Sequence, residues 1–262
     1  MWSPAQPKLV VSELSTDPPK RRSVFSALKK AILALGILGV VFFILYLASY
    51  LLEPTSPIKS LLASNISDHQ VSLSWVTDLP TKSNLVISSK NDIPTLPFFT
   101  KSGLKEDLDR NLRKSNYYSL HQTTITNLSK KQTYYFKVFQ GLKTAYQGKF
   151  TTGESINVLL NPNPVYGTIY LNQQKTPAVG ALVYLLVEGK EGKSSVLSTQ
   201  TNKSGRWSID LANLRTSNLK DVYQIASNSS EQLIIEAGKK GKGKAKTTFG
   251  KDKPWPDLIL ST

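Results

Sequence analysis

Five lysines, Lys239, Lys240, Lys242, Lys244 and Lys246, alternate with glycine and alanine between two apolar stretches. Ammonium groups at that spacing attract phosphate or carboxylate polymers through contacts that salt weakens. The same run also suits a solvated hairpin connection, because charge runs usually face water. Other residue types point away from catalysis. His69 and His121 are the only histidines, neither belongs to a ligand-spaced pair, and cysteine is absent. Metal chemistry is therefore poorly supplied. The sequence contains no nucleophile elbow and no phosphate-binding loop. We expect no enzyme, no cofactor, and no catalytic, cofactor-binding or metal residues. Four Asn-x-Ser/Thr triplets begin at Asn65, Asn127, Asn202 and Asn228, a glycosylation pattern that is common by chance.

The element that must position everything else is Ala31 to Leu52, an uncharged run flanked by Lys29 and Lys30. As a helix it covers about 33 Å, enough for a hydrocarbon core of about 30 Å. Lys20, Arg21, Arg22, Lys29 and Lys30 precede it, whereas Glu53 and Pro54 follow. Positive charge beside a span stays inside, so residues 1–30 read as a cytoplasmic basic tail, 31–52 as the transmembrane helix and the rest as extracytoplasmic. Residues 1–19, with four prolines, read as a short disordered stretch. Tyr46 and Tyr50 suit the outer headgroup layer. A cleaved signal peptide is the competing reading, but its apolar region is usually shorter and ends in small residues, where Tyr50 stands here. Gly36 and Gly39 are not spaced as the GxxxG pair that packs membrane helices.

Residues 53–262 carry 27 Lys/Arg and 16 Asp/Glu, a net +11. That balance favours anionic surroundings, although lysines also serve solubility alone. Without cysteine, stability must come from burial and hydrogen bonding.

Val71-Ser72-Leu73-Ser74-Trp75 alternates as a strand with one buried face. Leu85 to Ile87, Thr123 to Leu128 and Thr133 to Phe139 read as further strands, with Tyr134, Phe136 and Val138 facing the core and Lys137 facing away. Val71 to Trp75 resembles the B strand of fibronectin type III domains. Leu128 and Tyr134 resemble that family's tyrosine corner. The version most similar to this stretch is the small N-terminal domain of purple acid phosphatases, with Trp75 to Asp78, His121 to Val138 and the closing Phe150-Thr151-Thr152 as the matching segments. Lysines replace the usual proline–glycine turn before the corner. The resemblance implies a β-sandwich over 56–153 and does not import phosphatase chemistry, because no matching metal domain follows. His121 reads as a strand residue.

An insertion, Ser88 to Asn116, interrupts these strands. Leu104, Leu108 and Leu112 recur every fourth residue, with Glu106–Arg110 and Asp109–Arg113 as charge pairs, which reads as a short amphipathic helix. It either caps one end of the sandwich or presents a binding surface.

Gly153-Glu154-Ser155 and Asn161-Pro162-Asn163-Pro164 bracket a short strand or linker that reads as the domain boundary. Beyond it short strands recur: Val165 to Tyr170, Pro177 to Leu185, Ser198 to Thr201, Trp207 to Leu211, Leu233 to Ala237 and Leu258 to Leu260. Together they resemble carboxypeptidase regulatory-like domains, which implies a second sandwich over 156–262 with a structural or carbohydrate-associated role. The expected fold is mainly β: one N-terminal transmembrane helix followed by two immunoglobulin-like or fibronectin type III-like sandwiches. Three functions fit. The first is an envelope protein for adhesion, scaffolding or surface assembly, and the second is an anionic-polymer or carbohydrate-binding module. The third is an accessory subunit of an envelope enzyme or secretion complex. The expected partners are the bilayer and either envelope proteins or anionic polysaccharide, and no nucleic acid.

Overall fold

A computed structural model describes residues 22–97, 100, 103–112, 116–158 and 160–261. The reading of residues 1–19 as a disordered tail lies outside them. The chain divides into two compact units, one ending at Ser49 and one running from Tyr50 to Thr262.

The first unit is a helix, α1 (Arg22–Leu51). Within it Phe25–Ser49 has a mean hydropathy of 2.8 and none of it is buried. Leucine, isoleucine, valine and phenylalanine point outward all round the helix, which suits a lipid surround and no aqueous one. It is long and apolar enough to cross a membrane, a property that a signal sequence shares. Helical structure starts at Arg22 rather than Ala31, so Lys29 and Lys30 extend the helix instead of ending a tail.

The second unit is built of strands around two apolar cores, paired antiparallel except where the last strand runs parallel to its neighbour. In its first part, β1 (Ile58–Ser64), β2 (Val71–Thr81) and β4 (Tyr118–Ile125) form one sheet. The facing sheet is β3 (Asn84–Ser88), β5 (Thr133–Gln140) and β6 (Lys143–Thr151), in the order β3-β5-β6. Between them sit Val71, Leu73, Trp75, Leu85, Phe136 and Val138, all buried. This strand order is that of a fibronectin type III-like sandwich, and the corner is present: the Ser129 N–H donates to the Tyr134 hydroxyl at 2.9 Å. The turn survives without glycine because Lys131 takes the left-handed conformation, φ 53°.

One expectation fails here. Glu106 does not pair with Arg110 on a helix surface. It is buried, and Arg110 instead bonds Asp107 and the Thr124 carbonyl. Helix α2 (Asp107–Leu112) is only six residues long, and Arg113 lies outside the described residues. Asp107 accepts from the Thr124 N–H at 2.9 Å and its hydroxyl at 2.7 Å. With the Arg110 contact, this satisfies Thr124 on both its backbone groups at the free edge of β4, an edge that would otherwise invite another strand. Leu104 packs on the core, so the insertion caps the sandwich.

The second part holds β7 (Pro164–Tyr170), β8 (Leu182–Gly189), β9 (Gly192–Lys193), β10 (Leu197–Gln200), β11 (Arg206–Asp210), β12 (Ser230–Glu236), β13 (Lys242–Thr248) and β14 (Leu258–Ile259). One sheet runs β10-β8-β12-β13 with β9 beside β8, and the other runs β11-β7-β14. Trp207 lies over Gly167, where a Cβ would meet its indole nitrogen at 3.2 Å, so glycine makes room for the ring. Ile169, Val183, Leu185, Leu233 and Ile235 complete this core.

A third, smaller cluster joins the two cores. Val76 of β2 meets Leu182 and Tyr184 of β8, with Leu120 and Val196 at its margin. The outer face of the β1-β2-β4 sheet therefore lies against the outer face of the β8 sheet. This corrects the one-sided reading of β2: Ser72 and Ser74 are 1% and 0% exposed, so both its faces are buried.

Candidate functional site

The lysine run is not a loop. Lys239 and Lys240 lie in a short 3-10 turn, Gly238–Lys240, and Lys242, Lys244 and Lys246 belong to edge strand β13. Period two puts those three on one exposed face, with Gly243 and Ala245 on the other. Pairing to β12, whose Ile234 and Gln232 stand opposite Lys244 and Lys246, overrides the weak strand preference of glycine and lysine. Lys242 is engaged by Glu236 at 3.0 Å. Lys244 and Lys246 carry no ion pair among the described residues. Lysines on an edge strand also deter pairing with another chain.

Where the two sheets meet, the contact is polar as well as apolar. Asn65, at φ 50°, turns its side chain onto β10. Its amide nitrogen donates to the Ser198 carbonyl at 3.0 Å, and its amide oxygen accepts the Ser198 N–H at 2.8 Å. Asn65 thus completes the edge of β10 much as a strand residue would. Hydroxyl contacts continue along the seam, Ser64 with Ser198 at 2.7 Å and Ser74 with Tyr184 at 2.9 Å. Burial raises the Tyr184 pKa, the Ser74 contact opposes that, and Glu236 adds to it. With its amide occupied on both atoms, Asn65 is poorly placed to accept a glycan. Asn202 is likewise used, its oxygen accepting the N–H groups of Ser204 and Arg206.

Beside the seam lies a cleft of about 480 Å³, lined among others by Asp68, His69, Leu160, Asp210 and Arg215. Arg215 donates to the Glu154 carbonyl at 2.6 Å and sits 3.5 Å from Asp68. Burial lowers its pKa, and Asp68 works against that. Burial raises the Asp68 carboxyl, but hydrogen bonds from His69 and Ser155 outweigh it and hold the group below its ordinary value. Serine, histidine and aspartate therefore converge here in the wrong order for catalysis. Ser155 bonds the carboxylate, whereas a nucleophilic relay needs the hydroxyl on the imidazole nitrogen that Asp68 does not hold.

Two buried ionisable pairs escaped the sequence reading. His121 lies in β4 as expected, yet it is fully buried inside the first core. Its Nδ1 is 2.8 Å from Glu106, its Nε2 lies 3.2 Å from Thr77 and 3.3 Å from Thr81, and its ring stacks on Trp75 at 5.1 Å. In the second core Glu231 of β12 and Asp252 are both 0% exposed and face each other. Burial first, then Asp252, pushes Glu231 up to about 8, against weaker opposition from Trp255 and Lys253. No cluster of three or more potential metal ligands occurs among the described residues.

No family of known sequence matches the chain, and no curated protein matches it. Among solved structures it is similar to the FN1–FN3 domains of chicken CNTN1, at 12% identity and a TM-score of 0.25, covering 79% of this chain and 68% of that one. It is also similar to the adhesin InvE of Yersinia pseudotuberculosis, at 9% identity and a TM-score of 0.23, covering 74% of this chain and 60% of that one. Strand order and the tyrosine corner, rather than these neighbours, make the first part a fibronectin type III-like sandwich.

Proposed function

We propose that the chain is a membrane-anchored extracytoplasmic structural protein of the cell envelope, which displays its sandwiches for adhesion or scaffolding. The observation that carries this reading is α1, whose apolar stretch has no buried residue, joined to a β-rich unit rich in lysine. In this reading residues 1–30 are cytoplasmic, 31–52 span the bilayer, and modules at 56–153 and 156–262 stand outside. The first module is similar to the purple acid phosphatase N-terminal domain and the second to carboxypeptidase regulatory-like domains. The charge asymmetry about the span supports the orientation. Protease added to intact cells should digest the carboxyl-terminal part and spare a fragment containing α1. Protection of the carboxyl-terminal part, or a mature product beginning after Leu52, would reject the reading.

A second reading, binding of an anionic polysaccharide or wall polymer, is favoured by one observation. Lys244 and Lys246 stand on one exposed strand face without ion-pair partners among the described residues. Their spacing of about 7 Å suits a repeating anionic chain. Retention on such a polymer should fall with salt and fall further in the double variant Lys244→Gln/Lys246→Gln. Retention unchanged by either would remove this reading and leave the first intact. An accessory role in an envelope complex remains a third proposal, for which crosslinking in intact cells is the test.

A further inference from the structure

Glu53 follows directly on the last residue of the apolar run, and its partners fix where the chain enters the first sandwich. The Tyr117 hydroxyl donates to Glu53 at 3.0 Å. Lys82 Nζ lies 3.7 Å from the same carboxylate and 4.4 Å from the centre of the Tyr117 ring. Ser56 is 4% exposed, its hydroxyl accepting the N–H groups of Asp78 at 3.1 Å and Leu79 at 3.2 Å. Its own N–H donates to the Gln140 side chain at 2.8 Å. The entering chain is thus pinned to the end of β2, where the chain crosses to β3 in the other sheet. Two large apolar side chains stand exposed at that end, Leu79 at 51% and Tyr117 at 41%, with Pro80 beside them.

We infer that the tip of the first sandwich, formed by Leu79 near the end of β2, Lys82 in the β2–β3 connection and Tyr117 just before β4, rests in the headgroup layer of the bilayer that α1 spans. This rests on the membrane-anchor reading. One peptide step from Leu52 to Glu53 is about 3.8 Å, and four steps to Ser56 reach at most about 14 Å. The headgroup region adds about 5–7 Å to each side of the hydrocarbon core. A tether this short, bonded at both Glu53 and Ser56, holds the tip close to the headgroups. The side chains suit that layer: a leucine for its inner margin, a tyrosine ring with a polar tip, and an ammonium on a flexible stem. The turn at the far end of the same sandwich, with exposed Lys130, is separated from the tip by the length of β1, about 20 Å.

The absence of cysteine makes the test direct, because each introduced cysteine is the sole labelling site. Full-length Leu38→Cys, Leu79→Cys, Tyr117→Cys and Lys130→Cys are spin-labelled and reconstituted in phosphatidylcholine–phosphatidylglycerol vesicles. Collision with a water-soluble nickel chelate is then measured against collision with oxygen. The label at 38 should be shielded from the chelate, and those at 79 and 117 should be several-fold less accessible than that at 130. Equal accessibility at 79, 117 and 130 with position 38 shielded would overturn the inference while leaving the anchor standing. A label at 38 open to the chelate would overturn the anchor reading, and the inference with it.

Discussion

In the first sandwich the buried carboxyl of Glu106 meets an imidazole, and in the second the buried carboxyl of Glu231 meets another carboxyl. The first arrangement is complementary whichever group holds the proton, and Thr77 and Thr81 occupy the other side of the ring. In the second, a second charge in a buried site is costly, so the folded chain favours a protonated Glu231. Both pairs are buried, so burial alone does not decide what a carboxyl in a core demands of its neighbours. The identity of the partner does.

Glu106→Ala tests the first half of that contrast and should have the largest effect. It leaves the His121 Nδ1 buried and unpaired, at a cost of about 3 kcal/mol in chemical denaturation of the chain. Glu106→Gln keeps an acceptor in place and should lose clearly less. Equal losses in the two variants would mean that volume rather than pairing matters at this position.

Glu231→Gln tests the other half. The folded pKa of about 8 lies above the ordinary value of 4.5, so between those pH values the folded chain holds a proton that the unfolded chain has released. The pair's contribution is full below pH 4.5, falls as pH rises toward 8, and levels off above it. Denaturation midpoints of the parent chain should decline across that window. Glu231→Gln, which cannot lose a proton, should flatten the decline and gain on the order of 1–3 kcal/mol relative to the parent at the alkaline end. A parent curve already flat over this range would show that Glu231 does not hold its proton above the ordinary carboxyl range.

The sandwiches were legible because their strands alternate and their turns carry the usual polar residues. The seam between them was not. Ser72 and Ser74 alternate with Val71, Leu73 and Trp75 as a solvent-facing row does, and only a surface more than a hundred residues away, at Tyr184 and Ser198, makes that row interior. Glu106 misled for a related reason. Its spacing to Arg110 fits a surface helix, but the helix begins one residue too late, and its true partner His121 becomes a neighbour only through the fold. The lysine run read as a connection because glycine, alanine and lysine are poor strand formers, and the ladder from β12 decides otherwise. Lys239 to Lys246 could be named as candidate contacts from sequence. Asn65, the residue that ties the sheets together, looked only like a glycosylation triplet.

Asn65→Ala carries the comparison from within the sandwiches to the seam between them. It strips the Ser198 N–H and carbonyl of their partners at a partly buried edge and should cost about 2 kcal/mol. Because the loss falls between the two cores rather than inside either, the informative readout is cooperativity. Calorimetry should show one melting transition broadening or splitting into two, whereas Glu106→Ala should shift the transition without that separation at first. A uniform shift in both variants would mean that the Val76, Leu182 and Tyr184 cluster couples the cores without the amide.

The smallest effects are expected where the two sandwiches are most alike. Each anchors a loop through a tyrosine hydroxyl. Tyr134 accepts the Ser129 N–H at 2.9 Å, and Tyr223 donates to the Gly192 carbonyl at 2.7 Å. Replacing either by phenylalanine keeps the ring in place and removes one hydrogen bond, worth about 1 kcal/mol. The two losses should still differ. Gly192 is exposed and opens β9 just after a turn, at a φ that glycine adopts freely, so water can take over its carbonyl at little cost. The Ser129–Gln132 turn holds Lys131 at φ 53°, a conformation that a lysine seldom adopts, and the Tyr134 bond helps to keep it there. Tyr134→Phe should therefore cost more than Tyr223→Phe. Adding Lys131→Gly should recover part of that loss in denaturation experiments, and no recovery would mean that the strained turn is held by the bond from Lys131 N–H to the Gly153 carbonyl instead.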